Sequence, residues 1–449
     1  MRVAKLYIAV IGAAVLIAAA TLAARAAVGH SGGTAQRTTG TTAAHSGSSG
    51  HSGQSWQAGT SGHSGQSGQA GTSGQAGTSG QAGAVSAGIG LRPGVVSPSA
   101  AGIPAAVALA PTLSALQLAG QRVIFSYTGL NPPASLLRLI AHGEAAGVIF
   151  FSDNVGSGSH LLGVVRELER AAASRTNPVH LPLLLMTDQE GGVVRRLPGP
   201  PLLSEKQVGQ APHPWAAATA AGRGAGSNLR GHGLDVNLAP VLDVYRQAGN
   251  FIDEFGRSFS SNPVRVAKLG SLYATAQQHT GVAATVKHFP GLGAAARSQN
   301  TDERPVTLRL TVAAIRHTDE LPYRSAVAAH VKLVMLSWAV YPALDRKFPA
   351  GLSSTIIRGE LRNRLGFGGV TITDALGAGA LRAFGSTGSR ATRAARAGMD
   401  LLLSASRHVA EGSTAMRALS TSYLHGSAAY QRAFRAAAER VMALRRTLP

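Results

Sequence analysis

From residue 111 onward, short apolar runs alternate with amphipathic stretches. Runs rich in Val, Ile and Leu predict strands at 122–127, 147–152, 182–187, 235–239, 283–288, 332–337, 369–373 and 400–404. Between them, apolar positions recur at helical spacing and predict helices at 134–145, 161–173, 214–230, 263–279, 311–329, 354–365 and 389–397. An Arg-rich helix with Arg432, Arg435, Arg440, Arg445 and Arg446 closes the chain. Strands that alternate with helices imply parallel β/α units. Eight such units fit a single (β/α)8 TIM-type barrel, an α/β fold whose chemistry sits at the C-terminal ends of the strands. The alternative, a doubly wound open sheet, would carry a Gly-rich dinucleotide turn after an early strand, and the sequence has none.

The pattern before residue 111 is different. Arg2 and Lys5 precede an uncharged, mostly apolar run at 6–24, followed by the small residues of Ala24-Arg25-Ala26. Residues 1–29 therefore predict either a cleaved signal peptide or an N-terminal membrane anchor. Residues 30–110 are low in complexity, with His-Ser-Gly at His30, His45, His51 and His63 and a repeated Gly-Gln-Ala-Gly-Thr-Ser unit. So little apolar surface cannot offset the entropy of ordering, and a disordered Gly/Ser-rich linker is expected. Residues 111–449 are left as one barrel domain.

Composition narrows the chemistry. The 449 residues contain no Cys, which excludes disulfides, thiolate metal sites and a thiol nucleophile. The formal charge is +21, but only six of the 42 basic residues are Lys and aromatics are 5%. That balance suits an anionic envelope better than base stacking, and no nucleic-acid partner is expected. A monomer is expected, in contact with a membrane only through an uncleaved leader.

A barrel should carry reactive groups just past its strands. The third predicted strand leads into Asp188-Gln189-Glu190-Gly191-Gly192, and the fourth through Asn237 to Asp243. The fifth ends in Lys287-His288-Phe289-Pro290-Gly291, the sixth in Ser337-Trp338, and the seventh in Thr373-Asp374-Ala375-Leu376. Asp is a common helix N-cap, yet five polar strand ends together point to a site.

These motifs, with Gly256-Arg257-Ser258-Phe259 and Val334-Met335-Leu336-Ser337, resemble glycoside hydrolase family 3 over about residues 113–448. The single-domain β-N-acetylhexosaminidase branch is the nearest in pattern. The resemblance implies that Asp374 is the nucleophile of a retaining mechanism through a covalent glycosyl-enzyme. It implies that Asp188 accepts hydrogen bonds from sugar hydroxyls, and that Arg196, Arg257, Lys287 and His288 donate to the sugar. Trp338 either stacks on a sugar face or packs beneath a helix. No metal and no cofactor are implied.

One departure stands out. The branch carries an acid/base histidine in the loop after Lys-His-Phe-Pro-Gly, whereas this chain has no histidine between His288 and His317. Asp302 or Glu303 is the expected substitute, a carboxylic acid of raised pKa. Val193 also stands where the branch often has Arg. The expected function is an exported retaining glycosidase acting on β-linked N-acetylglucosaminides, cell-wall fragments included. The alternatives are a catalytically weak, envelope-tethered glycan-binding barrel and a metal-dependent barrel hydrolase.

Overall fold

The computed structural model describes residues 112–448. The leader expected at 1–29 and the linker expected at 30–110 lie outside the described residues. No helix among the described residues is long and apolar enough to cross a membrane.

Eight parallel strands close into a barrel: β1 (Val123–Phe125), β2 (Gly147–Ile149), β3 (Leu184–Thr187), β6 (Val236–Asn237), β7 (Ala283–Phe289), β8 (Leu333–Leu336), β9 (Val370–Ala375) and β10 (Leu401–Leu403). β1 pairs with β10 and completes the ring. A two-stranded antiparallel hairpin, β4 (Gln189–Gly191) and β5 (Val194–Arg195), stands on the end of β3. Each predicted strand coincides with a barrel strand, most of them shorter than the apolar run. β6 is the shortest of the barrel strands, with Pro240, which has no N–H to donate to a ladder, three residues beyond its end.

The period-two rule of strands sorts the two cores. In β8, Leu333 and Met335 join the cluster inside the barrel, while Val334 and Leu336 pack outward against the helices. Ile124, Ile149, Leu184, Met186, Val370 and Ile372 share the interior with them. Each such side chain, fully buried, stabilises the fold by about 1.5–3 kcal/mol.

The final helix, Ala428–Arg446, places Val441 and Leu444 in that same interior cluster. Its Arg445 donates to the carbonyls of Pro182 and Leu181 (2.7 and 2.8 Å), just ahead of β3. Arg440 pairs with the buried Asp400 just ahead of β10 (2.8 Å). The Arg-rich pattern is therefore largely structural. It plugs the N-terminal end of the barrel and leaves the C-terminal end open as the mouth.

Candidate active site

The third strand runs directly into Asp188, and the hairpin that follows turns Glu190 back over the mouth. A buried amide network fixes its first strand. Asn237 on β6 accepts from the Gln189 N–H (2.9 Å) and donates to the Gln189 carbonyl (3.1 Å) and to Gln277 (2.9 Å). The Tyr273 hydroxyl donates to the same carbonyl (3.1 Å).

Lys287, at the end of β7, reaches both carboxylates: Nζ lies 2.8 Å from Asp188 Oδ1 and 2.8 Å from Glu190 Oε1. Arg257 clasps Glu190 with two parallel bonds, Nε to Oε2 at 2.9 Å and Nη2 to Oε1 at 2.8 Å. Arg196 Nη2 stands 3.9 Å from Asp188 Oδ2, and its buried Nε has no partner among the described residues. Burial alone would raise the carboxyl pKa of Glu190, but Arg257 and Lys287 outweigh it and hold the group well below the ordinary range. Burial is likewise outweighed at Asp188, by Lys287 and Arg196. Lys287 is held above its ordinary value, because the charges of Asp188 and Glu190 exceed the cost of burial. The cluster is thus ionised throughout, with charged donors and acceptors suited to a polyol.

His288 is fixed by Asp243, which is fully buried. The ring Nδ1 lies 2.7 Å from Asp243 Oδ2, while the backbone N–H groups of His288 and Leu292 donate to Oδ1 (3.2 and 2.6 Å). A carboxylate holding one ring nitrogen sets the tautomer and leaves Nε2 as the nitrogen available for other work.

Asp374, half-buried at the end of β9, accepts the Ala375 N–H on Oδ1 (2.7 Å). Trp338 lies behind this turn: its indole N–H donates to the Ala375 carbonyl (2.9 Å), and the residue is only 1% exposed. The ring has no open face, so Trp338 supports the Asp374 turn and does not serve as a sugar platform.

The loop after β7 is tied to the segment that follows Asp374. Gly379 N–H donates to the Asp302 carbonyl (2.7 Å) and Ala380 N–H to the Thr301 carbonyl (3.0 Å). A Cβ on Gly379 would lie 2.1 Å from the Glu303 carbonyl oxygen, so the two backbones meet where only glycine fits. Asp302 is exposed to solvent, yet the groups crowded around it push its pKa up to about 6. Burial is the larger cause and the Asp374 charge the second; Arg257 and His288 act against them. Glu303 differs from Asp302. Half-buried, it pairs with Arg304 (3.4 Å) and accepts from Asn300 (3.2 Å).

Sequence reasoning quoted Glu190 and Asp243 without giving them roles, and it missed Glu205 entirely. The Glu205 carboxyl, buried at the start of a short helix, accepts the Val241 N–H (2.9 Å) and so steadies the chain leading to Asp243. Burial and then the Glu190 charge raise its pKa well above the ordinary value. Among the described residues, no group of three or more His, Asp or Glu is placed to hold a metal ion.

The fold and mouth define a (β/α)8 barrel with paired carboxylates and a charged polyol-type cluster at its C-terminal end. Residues 115–444 match the Glycosyl hydrolase family 3 N terminal domain. The chain belongs to that family and is a glycoside hydrolase. It is 45% identical over 332 residues to an uncharacterized secreted glycosyl hydrolase of Arthroderma benhamiae, covering 74% of this chain and 93% of that protein. It is 36% identical over 273 residues to a beta-hexosaminidase of Thioalkalivibrio sulfidiphilus, covering 59% of this chain and 75% of that one. Among solved structures, a family 3 beta-N-acetylglucosaminidase from Paenibacillus sp. superposes with a TM-score of 0.69 at 32% identity, covering 75% of this chain and 62% of its own. The beta-N-acetylhexosaminidase of Beutenbergia cavernae gives 0.67 at 28% identity, covering 74% and 98%.

Proposed function

We propose that this protein is an exported retaining glycosidase that cleaves β-linked N-acetylglucosaminides, cell-wall fragments among them, with Asp374 as nucleophile and Asp302 as acid/base. The observation that carries the reading is the tie between the two loops, which brings Asp302 under the influence of the Asp374 charge. In the first step the Asp374 carboxylate attacks the anomeric carbon, the glycosidic C–O bond breaks, and the leaving oxygen takes the Asp302 proton. In the second, Asp302 as carboxylate takes a proton from the water that attacks the same carbon, and Asp374 is released. A pKa near 6 suits a group that must serve as both acid and base close to neutrality. Asp188, Arg196, Lys287 and His288 would hold the sugar hydroxyls, and Arg257 would act chiefly through Glu190.

The substrate class is supported by the relatives named beta-hexosaminidase and beta-N-acetylglucosaminidase. Export is supported by the basic, then apolar start of the sequence and by the relative described as secreted. The absence of a histidine between His288 and His317 motivates a second reading, a barrel that binds glycans with little turnover. An assay with an aryl β-N-acetylglucosaminide separates the two. Wild type turns it over, and Asp374→Ala loses at least about 10³-fold. Equal rates for the two proteins, or no turnover of any activated glycoside, contradict the enzyme reading.

A further inference from the structure

On the outer wall of the barrel, helices Pro214–Gly231 and Pro263–Gln278 pack side by side. Glycine permits the approach: a Cβ on Gly222 would lie 2.1 Å from the Tyr273 carbonyl oxygen. Along this contact runs an open groove of about 490 Å³, lined by Trp215, Thr219, Arg223, Lys268 and Leu272 among others. Trp215 is 45% exposed, and the Arg265 guanidinium sits 5.5 Å from its ring centroid. An indole left this open forgoes the burial that normally makes Trp favourable in a fold.

The charge around it is one-sided. The two helices carry Arg223, Arg230, Arg265 and Lys268 and not one Asp or Glu. Arg223 and Lys268 have no ion-pair partner among the described residues. Both helices lead back from the mouth end of the barrel, so Trp215, in the first turn of its helix, lies toward the rim.

We propose that this groove is a second carbohydrate site, separate from the mouth, that binds an acidic glycan whose sugar rings carry carboxylates. One ring lies against the Trp215 indole while its carboxylates meet Arg223 and Lys268. The groove offers a single aromatic platform beside its cations, whereas a single-stranded nucleic acid is held by successive platforms along the strand. The site works by binding alone, so it stands or falls independently of Asp374 chemistry.

The test is affinity electrophoresis of the full chain through gels containing polygalacturonate, with neutral dextran as control. Wild type is retarded by polygalacturonate and not by dextran. Trp215→Ala, which leaves the charge unchanged, weakens the retardation about fivefold. Arg223→Gln with Lys268→Gln weakens it at least as much, while the charge-matched pair Arg432→Gln with Arg446→Gln, on the final helix, does not. Circular dichroism and Tm confirm that each variant is folded. Equal losses in the two charge-matched pairs reduce the effect to net charge and overturn the proposal. So does unchanged retardation in Trp215→Ala. Tighter Trp215-dependent binding of a single-stranded oligonucleotide than of polygalacturonate assigns the groove to nucleic acid and overturns it as well.

Discussion

Asp302 draws its raised pKa from burial and from the Asp374 charge, and the direction of the shift fixes its pH behaviour. In its proposed role as the acid it is protonated below about 6, so kcat/KM for a poor leaving group is expected to fall as pH rises through that value. Asp302→Asn removes this alkaline limb. The same shift acts on stability. The folded-state pKa, about 6, lies above the ordinary 3.8, so the stabilising contribution is full below about 3.8 and is lost as pH rises through about 6. Asp302→Asn should therefore raise Tm at pH 8 and leave it nearly unchanged at pH 4; a Tm difference of the opposite sign would refute the shift. Asp374, Asp188 and Lys287 were legible in the sequence because each follows an apolar run. The partners of Glu190 and Asp243 were not. Lys287 and Asp188 meet across 99 residues, and Glu190 and Arg257 across 67, separations that no local pattern encodes.

At the level of elements, barrel strands announced themselves because they are buried on both faces and read as continuous apolar runs. The β4–β5 hairpin escaped notice because its strands are only three and two residues long. The helix Val409–Leu424 also went unassigned, its apolar positions thinned by Ser, Thr and Ala. The Arg-rich final helix was legible from its pattern, but pattern alone cannot show that Arg445 turns inward onto backbone carbonyls. The loops that carry Asp302 and Asp374 are tied together at Gly379 and Ala380, and Gly379 has no room for a side chain. Gly379→Ala would press a Cβ into the Glu303 carbonyl and push the Asp302 loop away from Asp374. A displacement of about 1 Å should cost about 10²-fold in kcat/KM, with little change in far-UV circular dichroism. Unchanged kinetics in a folded Gly379→Ala protein would break the link between the loops and catalysis.

The whole molecule assigns its charge to different tasks. Arg440 and Arg445 close the bottom of the barrel, Lys287 and Arg257 ionise the mouth, and unpaired cations remain on the outer wall. The barrel and its open end were legible from eight alternating units; how the loops above it close was not, because that depends on contacts such as Gly379 to Asp302 and Ala380 to Thr301, between segments far apart in the chain. The central claim is that a carboxylic acid, Asp302, stands in for the expected histidine as proton donor. Its most direct test is the loss in kcat/KM on Asp302→Asn, measured with an aryl glycoside of low leaving-group pKa and with an unactivated N-acetylglucosamine disaccharide. The account predicts a loss of about 10²–10⁴-fold on the disaccharide and less than about tenfold for glycosylation by the aryl substrate. Equal losses on both substrates, or no loss on either, would contradict it.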